Sequence, residues 1–404
     1  MTVSSDGLDA SNNADTGQIT SITTGDNTGT NTLTLNDATN GDDLTLVISD
    51  SILSLGTNDT NDLDIIINAL STNDGGNSTL SIGRNVTVGA GTITLTGDVN
   101  DTPTILFAGT GAQIADSAIV VTTDGFGVLS VTNTGGTVTI TDIIGVNGNG
   151  LESISIASGA NLTQKLGAAA GTFNVVGNVD DGAGGVGGTL VIEGGDCRGG
   201  GIAGGAVTAV AIEGTGTNQL TGLTIQGGDA GTTGVGGAVT ATAITGAVTA
   251  TTYNIVGGKG GAGGGAATSG VGGAVATHLQ TGNVISAVNI TGGAGGAGGA
   301  SDVSDVGGAG GVGGAVAVSA VGGVSGTVTA TSAGGTAGGA GAQAAGAIGS
   351  AGGAIVITDI DGAIGTGLTL SAADGSWDVS ADYDADIKSD FLAHTGRVQA
   401  KFNF

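Results

Sequence analysis

A chain of 404 residues with 34 acidic and 7 basic side chains, net charge -27, has no means of binding nucleic acid by neutralising phosphates. Its 87 glycines and 2% aromatics exclude a thick core of the ordinary globular kind. Cys197 is the only cysteine, which excludes an intrachain disulfide, and no run of about 18 apolar residues offers a transmembrane helix.

The first residues, MTVSSDGLDASNNADTG, are polar and acidic. They have neither a basic n-region nor an apolar h-region, so they do not read as a signal peptide. Helix formers are scarce from there on, while short β-prone runs recur. These include Thr32 to Leu35, Leu44 to Ile48, Leu63 to Ile67, Thr79 to Ile82 and Thr92 to Thr96. Val128 to Val131 and Val138 to Ile144 follow. Asn, Asp and Gly clusters separate the runs, as turns require. Many short strands with small core residues suit a thin core repeated many times. The pattern predicts an all-β fold, a right-handed parallel β-helix (β-solenoid) with roughly 20 residues per coil.

The second half adds an explicit repeat. Gly-Gly-Ala followed by Val or Ile occurs at 204–207, 236–239, 272–275, 313–316 and 352–355, at spacings of 32, 36, 41 and 39 residues. Each unit is expected to open with an apolar strand such as Gly237 to Ile244, then a second short strand, then a glycine run such as Gly292 to Gly299. Irregular spacing implies that strands keep register while glycine loops vary. Glycine loses the most entropy on ordering, so mobile loops are expected, with packed polyglycine helices or flexible linkers as alternatives.

The last 28 residues differ in kind. Trp377, Val379, Ala381, Tyr383, Ala385 and Ile387 alternate with Asp378, Ser380, Asp382, Asp384, Asp386 and Lys388. A turn-like stretch with Ser389, Asp390, His394, Thr395 and Gly396 follows. Val398, Ala400, Phe402 and Phe404 then alternate with Arg397, Gln399, Lys401 and Asn403. This is the period of strands with one apolar and one polar face. A strand crossing a membrane barrel needs about 9 to 11 such residues, and the second segment is slightly short. Five of the nine aromatics (Trp377, Tyr383, Phe391, Phe402, Phe404) lie here, as girdles of membrane barrels would have them. An ordinary soluble hairpin is the alternative. Barrel-like strands without an export signal read as one piece of a longer precursor. The predicted organisation is an Asp/Asn/Thr-rich solenoid over 1–190, a glycine-rich GGA[VI] solenoid over 191–371 and an antiparallel hairpin over 372–404.

Residues 377–404, WDVSADYDADIKSDFLAHTGRVQAKFNF, resemble the last two strands of a bacterial autotransporter's translocator barrel. The stretch from Ala381 on is similar to the C-terminus of rickettsial surface-antigen autotransporters. The upstream stretch 78–99 looks like a β-helical passenger. The GGA-plus-aliphatic repeats resemble those of chlamydial polymorphic membrane proteins, without their Phe-x-x-Asn series. The resemblance implies that Val398, Ala400, Phe402 and Phe404 form the outer-membrane assembly signal. It also implies that Trp377, Val379, Ala381, Tyr383, Ala385 and Ile387 face the membrane. It departs from the family in strand number, because two strands can neither close a barrel nor satisfy their backbone in lipid.

Catalytic constellations are not found. Asp42 and Asp43, and Asp180 and Asp181, are adjacent, but strand neighbours point to opposite faces, so they are read as turn caps. His278 and His394 are far apart in sequence, and His394 is read as part of the tail's turn. Thr-x-Thr pairs at Thr92, Thr137, Thr240 and Thr327 follow no regular interval and express ordinary β propensity. No catalytic, metal or cofactor-binding residue is expected. The expectation is a non-enzymatic cell-surface protein, an autotransporter-like passenger acting as adhesin or surface antigen, from a fragment or truncated member. Its expected partners are the outer membrane, its barrel-assembly machinery and a host-cell or extracellular ligand. The alternative is a secreted structural or self-associating repeat protein.

Overall fold

The computed structural model describes residues 2–4, 15–18, 31–36, 44–48, 53–54, 63–69, 77–87, 91–98, 101–146, 149–165, 174–175, 179–183, 185–197, 201–208, 211–240, 242–263, 269–275, 278–280, 284–285, 288–298, 309–318, 320–321, 328–332, 334, 351–357, 368–371, 377–388 and 391–402. All its regular elements are β-strands, and there is no helix among the described residues. The chain separates into two compact units. One comprises Met1–Lys165, Thr172–Val191 and Ala211–Thr221, the other Leu166–Gly171, Ile192–Val210 and Gly222–Phe404.

In the first unit the β-prone runs become strands of three parallel sheets. Thr2–Ser4, Asn31–Asn36, Leu63–Asn68, Thr92–Thr96 and Ala118–Val121 form the first sheet. Asp15–Gln18, Leu44–Ile48, Ser78–Ile82, Thr104–Phe107, Val128–Val131, Ser153–Ile156 and Val179–Asp180 form the second. The third runs through Leu53–Ser54, Val86–Thr87, Gln113–Ala115, Thr137–Ile140 and Asn161–Lys165. The chain visits the sheets in rotation. Thr104 lies opposite Val128, and Val128 opposite Ser153, steps of 24 and 25 residues. Earlier rounds are longer: Leu44 lies opposite Ser78, 34 residues on. The expected round of roughly 20 residues is therefore too short, because each round carries three strands and three corners.

Alternation decides what is buried. Ile105 and Phe107 stack between Leu80, Ile82 and Leu129, Val131, all fully buried, while Thr104 and Leu106 are half-buried. Each such side chain contributes about 1.5–3 kcal/mol, so a narrow column of Ile, Leu and Val replaces the missing aromatics. Corners are braced by side chains. Buried Gln113 donates through Nε2 to the Ile82 and Arg84 carbonyls, both at 3.0 Å. Its Oε1 accepts from the Gly109 N–H at 3.0 Å and from Asn133 Nδ2 at 2.9 Å.

In the second unit the repeat motifs lie one upon the next. Val207 pairs with Val239, Val239 bridges to Val275, Val275 to Val316, and Val316 pairs with Ile355, all parallel. The expected apolar strand Gly237 to Ile244 divides. Val239–Thr240 belongs to this motif sheet, whereas Thr242 begins a strand that pairs with His278–Gln280. That larger sheet continues through Val288–Gly292, Val328–Ser332 and Leu368–Ser371.

The glycine segments are not mobile loops where the structure describes them. Each round sends one segment out from the larger sheet and one back to the motif sheet. In the outgoing segments Gly257, Gly260 and Gly263 donate to the carbonyls of Thr291, Ala294 and Ala297 of the next round, each at 2.8 Å. In the returning segments Gly236 and Val239 donate to Val271 and Ala274, both at 2.9 Å. A second set of bonds joins the two layers: Gly258 donates to Gly237, Gly273 to Gly258, Gly293 to Gly273 and Gly314 to Gly293. Bonding to a given neighbour recurs every third residue, the period of polyproline II-type helices, whose backbone groups all point sideways. The packed alternative is therefore the observed one. Neighbouring backbones approach so closely that a Cβ on Gly258 would strike the Gly228 carbonyl.

The tail is an antiparallel hairpin, Trp377–Lys388 with Phe391–Phe402, added to the edge of Leu368–Ser371. Its second strand has twelve residues and is not short. His394 is not in a turn: it lies within that strand opposite Ala385. Gly396 and Thr395 read as turn residues in isolation, but full pairing with the preceding strand absorbs them. Ser389, Asp390 and Phe404 lie outside the described residues.

Candidate functional site

The hairpin register brings the two predicted sets together. Trp377 lies opposite Phe402, Val379 opposite Ala400 and Ala381 opposite Val398. Tyr383, Ala385 and Ile387 lie opposite Gly396, His394 and Leu392. Directly opposed residues share a face, so these positions form one face and the Asp-rich set the other. Asp378 and Asp382 lie opposite Lys401 and Arg397 there. Leu392 and His394 complete the first face and were missed from sequence. Continuing the alternation back from Phe402 reaches both, through a glycine that hides the pattern.

The apolar face is open where its side chains are described. Val398 is 76% exposed, Ala400 is exposed and Val379 half-buried. Its rows continue the interior rows of the sheet. Tyr253, Val288, Val328, Leu368, Ala381 and Val398 lie in one row, and Ile255, Ile290, Ala330, Leu370, Val379 and Ala400 in the next. Tyr253, Ile255, Val288, Ile290 and Ala330 are fully buried. The hairpin thus carries the core-facing side of a sheet out into the open. Tyr253, the largest fully buried side chain among the described residues, has its hydroxyl pKa pushed well up by burial.

The carboxylates have a different occupation. Thr92, Gly150, Asp229 and Lys259 donate their N–H groups to the Oδ1 of Asp64, Asp124, Asp196 and Asp229, at 3.0, 2.7, 2.9 and 2.9 Å. Asn77 and Asn85 accept in the same way from Thr102 and Ile114, at 3.1 and 2.9 Å. Partners are 25 to 33 residues apart, one round on. Asp181 caps a turn: its Oδ1 accepts from Ala183 and Gly185 at 2.9 and 2.7 Å, and these bonds lower its pKa. Asp180 ends a strand opposite Ser155. Burial raises the Glu152 pKa. Asp42 and Asp43 lie outside the described residues. His278 is in a strand opposite Thr242. Among the described residues, no three His, Cys, Asp or Glu come together as a metal site.

Thr327 lies outside the described residues, and the described threonines of these pairs do not form one ladder. Thr92 and Thr94 lie in the first sheet of the first unit, Thr137 and Thr139 in its third, and Thr329 in the second unit opposite Asn289. Among the described residues, no helix is long and apolar enough to cross a membrane. No protein-family model, curated protein or solved structure matches the chain.

Proposed function

We propose that this protein is a non-enzymatic cell-surface protein of the bacterial outer membrane, an autotransporter-like passenger whose C-terminal hairpin is a remnant of the translocator barrel. The observation that carries this reading is the hairpin. Twelve cross-strand pairs set one apolar and one charged face along two strands of membrane-crossing length. Val398, Ala400, Phe402 and Phe404 serve as the assembly signal, and Trp377 to Ile387 supply the membrane-facing row. The body of the protein is a right-handed β-solenoid. Rotation of the chain through three parallel sheets supports that architecture, and parallel crossovers are nearly always right-handed. Its carboxylates stitch rounds together by accepting backbone N–H groups, which supports a displayed scaffold over an enzyme. Binding of a host-cell or extracellular ligand then belongs to the segments between strands.

Fractionation of the native cells, with external protease applied to intact cells and an antibody against residues 200–350, tests the reading. Recovery in the outer membrane with loss of signal on protease treatment is the expected result. A soluble product, or one untouched by protease, overturns it.

A further inference from the structure

The two outer faces of the glycine layers differ. In both layers every third residue turns its side chain away from the partner layer. On the outgoing face these positions include Asp196, Asp229 and Lys259, charged and exposed or half-buried. On the returning face they are Val235, Val271 and Val312 in one column and Ala238, Ala274 and Ala315 in the next. Backbone bonds fix both columns: Gly236 donates to Val271 and Gly272 to Val312, while Val239 donates to Ala274 and Val275 to Ala315, all at 2.9 Å. The three valines are 49, 41 and 45% exposed. No charged residue occurs in 201–208, 234–240, 269–275, 309–318 or 351–357, in a chain of net charge -27.

We infer that this returning face is a self-association surface that takes a second copy of the same chain across a two-fold axis. Valine and alanine columns stand three residues, one polyproline II turn, apart, about 9 Å. A two-fold axis between them lays each copy's valine ridge into the partner's alanine furrow. An isologous interface requires this self-complementarity. The charge-free face lets two acidic chains approach without opposing like charges. The ladder bonds hold the backbone of both columns before association, so little ordering entropy is lost. Five segments about 22 Å long, at a spacing of about 4.8 Å, offer about 500 Å² per copy. The total of about 1,000 Å² is at the lower limit for a specific interface, so a reversible dimer with micromolar or weaker Kd is expected.

Sedimentation velocity of the full chain from about 10 to about 500 µM is the test. A concentration-dependent dimer is expected. Val271→Asp, which buries a charge at the centre of the face, should raise its Kd about tenfold or more. Ala297→Asp on the outgoing face should leave it within about twofold. In a Cys197→Ser background, a mixture of Val271→Cys and Ala274→Cys chains should be linked between copies by a short bis-maleimide. That readout does not depend on the charged variant folding. A monomer throughout the range, a dimer indifferent to Val271→Asp, or failure of the 271–274 link overturns the inference.

Discussion

Thr233 is the one described non-glycine residue with positive φ, at 63°. It sits where the chain reverses between the two glycine layers, next to Gly234, whose N–H donates to Gly231 at 2.9 Å. A β-branched residue is costly there, and Asn adopts the same conformation more readily. Thr233→Asn should raise stability by about 0.5–1 kcal/mol in urea unfolding. Asp181 carries a pH dependence of known sign. Its backbone bonds lower the folded-state pKa below the ordinary 3.8. The resulting stability is present above that pH and lost as pH falls through the lower folded value. Asp181→Asn should therefore flatten the acid limb of urea midpoint against pH below the ordinary 3.8. Equal slopes for the two proteins would show that the cap contributes nothing.

At the scale of elements, the glycine layers are held by backbone bonds and close approach, with no side-chain core between them. A methyl group on Gly258 has no room beside the Gly228 carbonyl, whereas one on Gly111 would have nothing within 4 Å. Gly258→Ala should cost about 3 kcal/mol or more through displacement of the neighbouring round, and Gly111→Ala less than about 0.5 kcal/mol. Thermal unfolding of the two variants beside the parent checks the contrast. The same close approach explains why the repeat reads Gly-Gly-Ala. The first glycine faces the partner layer, the second faces the previous round, and only the third position opens outward.

For the whole molecule, charge is the property that sums over all residues. Thirty-four acidic against seven basic side chains repel one another in any compact state. Among the described residues, the ion pair between Lys259 and Asp229 is 3.8 Å long with side chains 72 and 40% exposed, so salt removes little attraction there. Raising NaCl from about 10 mM to about 500 mM should thus raise the Tm, where a protein rich in ion pairs would lose stability. By itself the sequence determined the all-β class, the strand runs, the GGA column and the two-faced tail strands. Those signals are local, because alternation and β propensity act within a few residues. It misplaced His394 and broke the second tail strand at Gly396, since pairing with Trp377–Lys388 outweighs a local turn signal. Only the tertiary structure decided which strands share a sheet and that the round is longer than roughly 20 residues. It alone decided that the glycine runs pack as two bonded layers. A run of glycine has no side chain to state a preference, so its conformation is set by the backbones it bonds, and those lie in the other layer or a full round away in sequence.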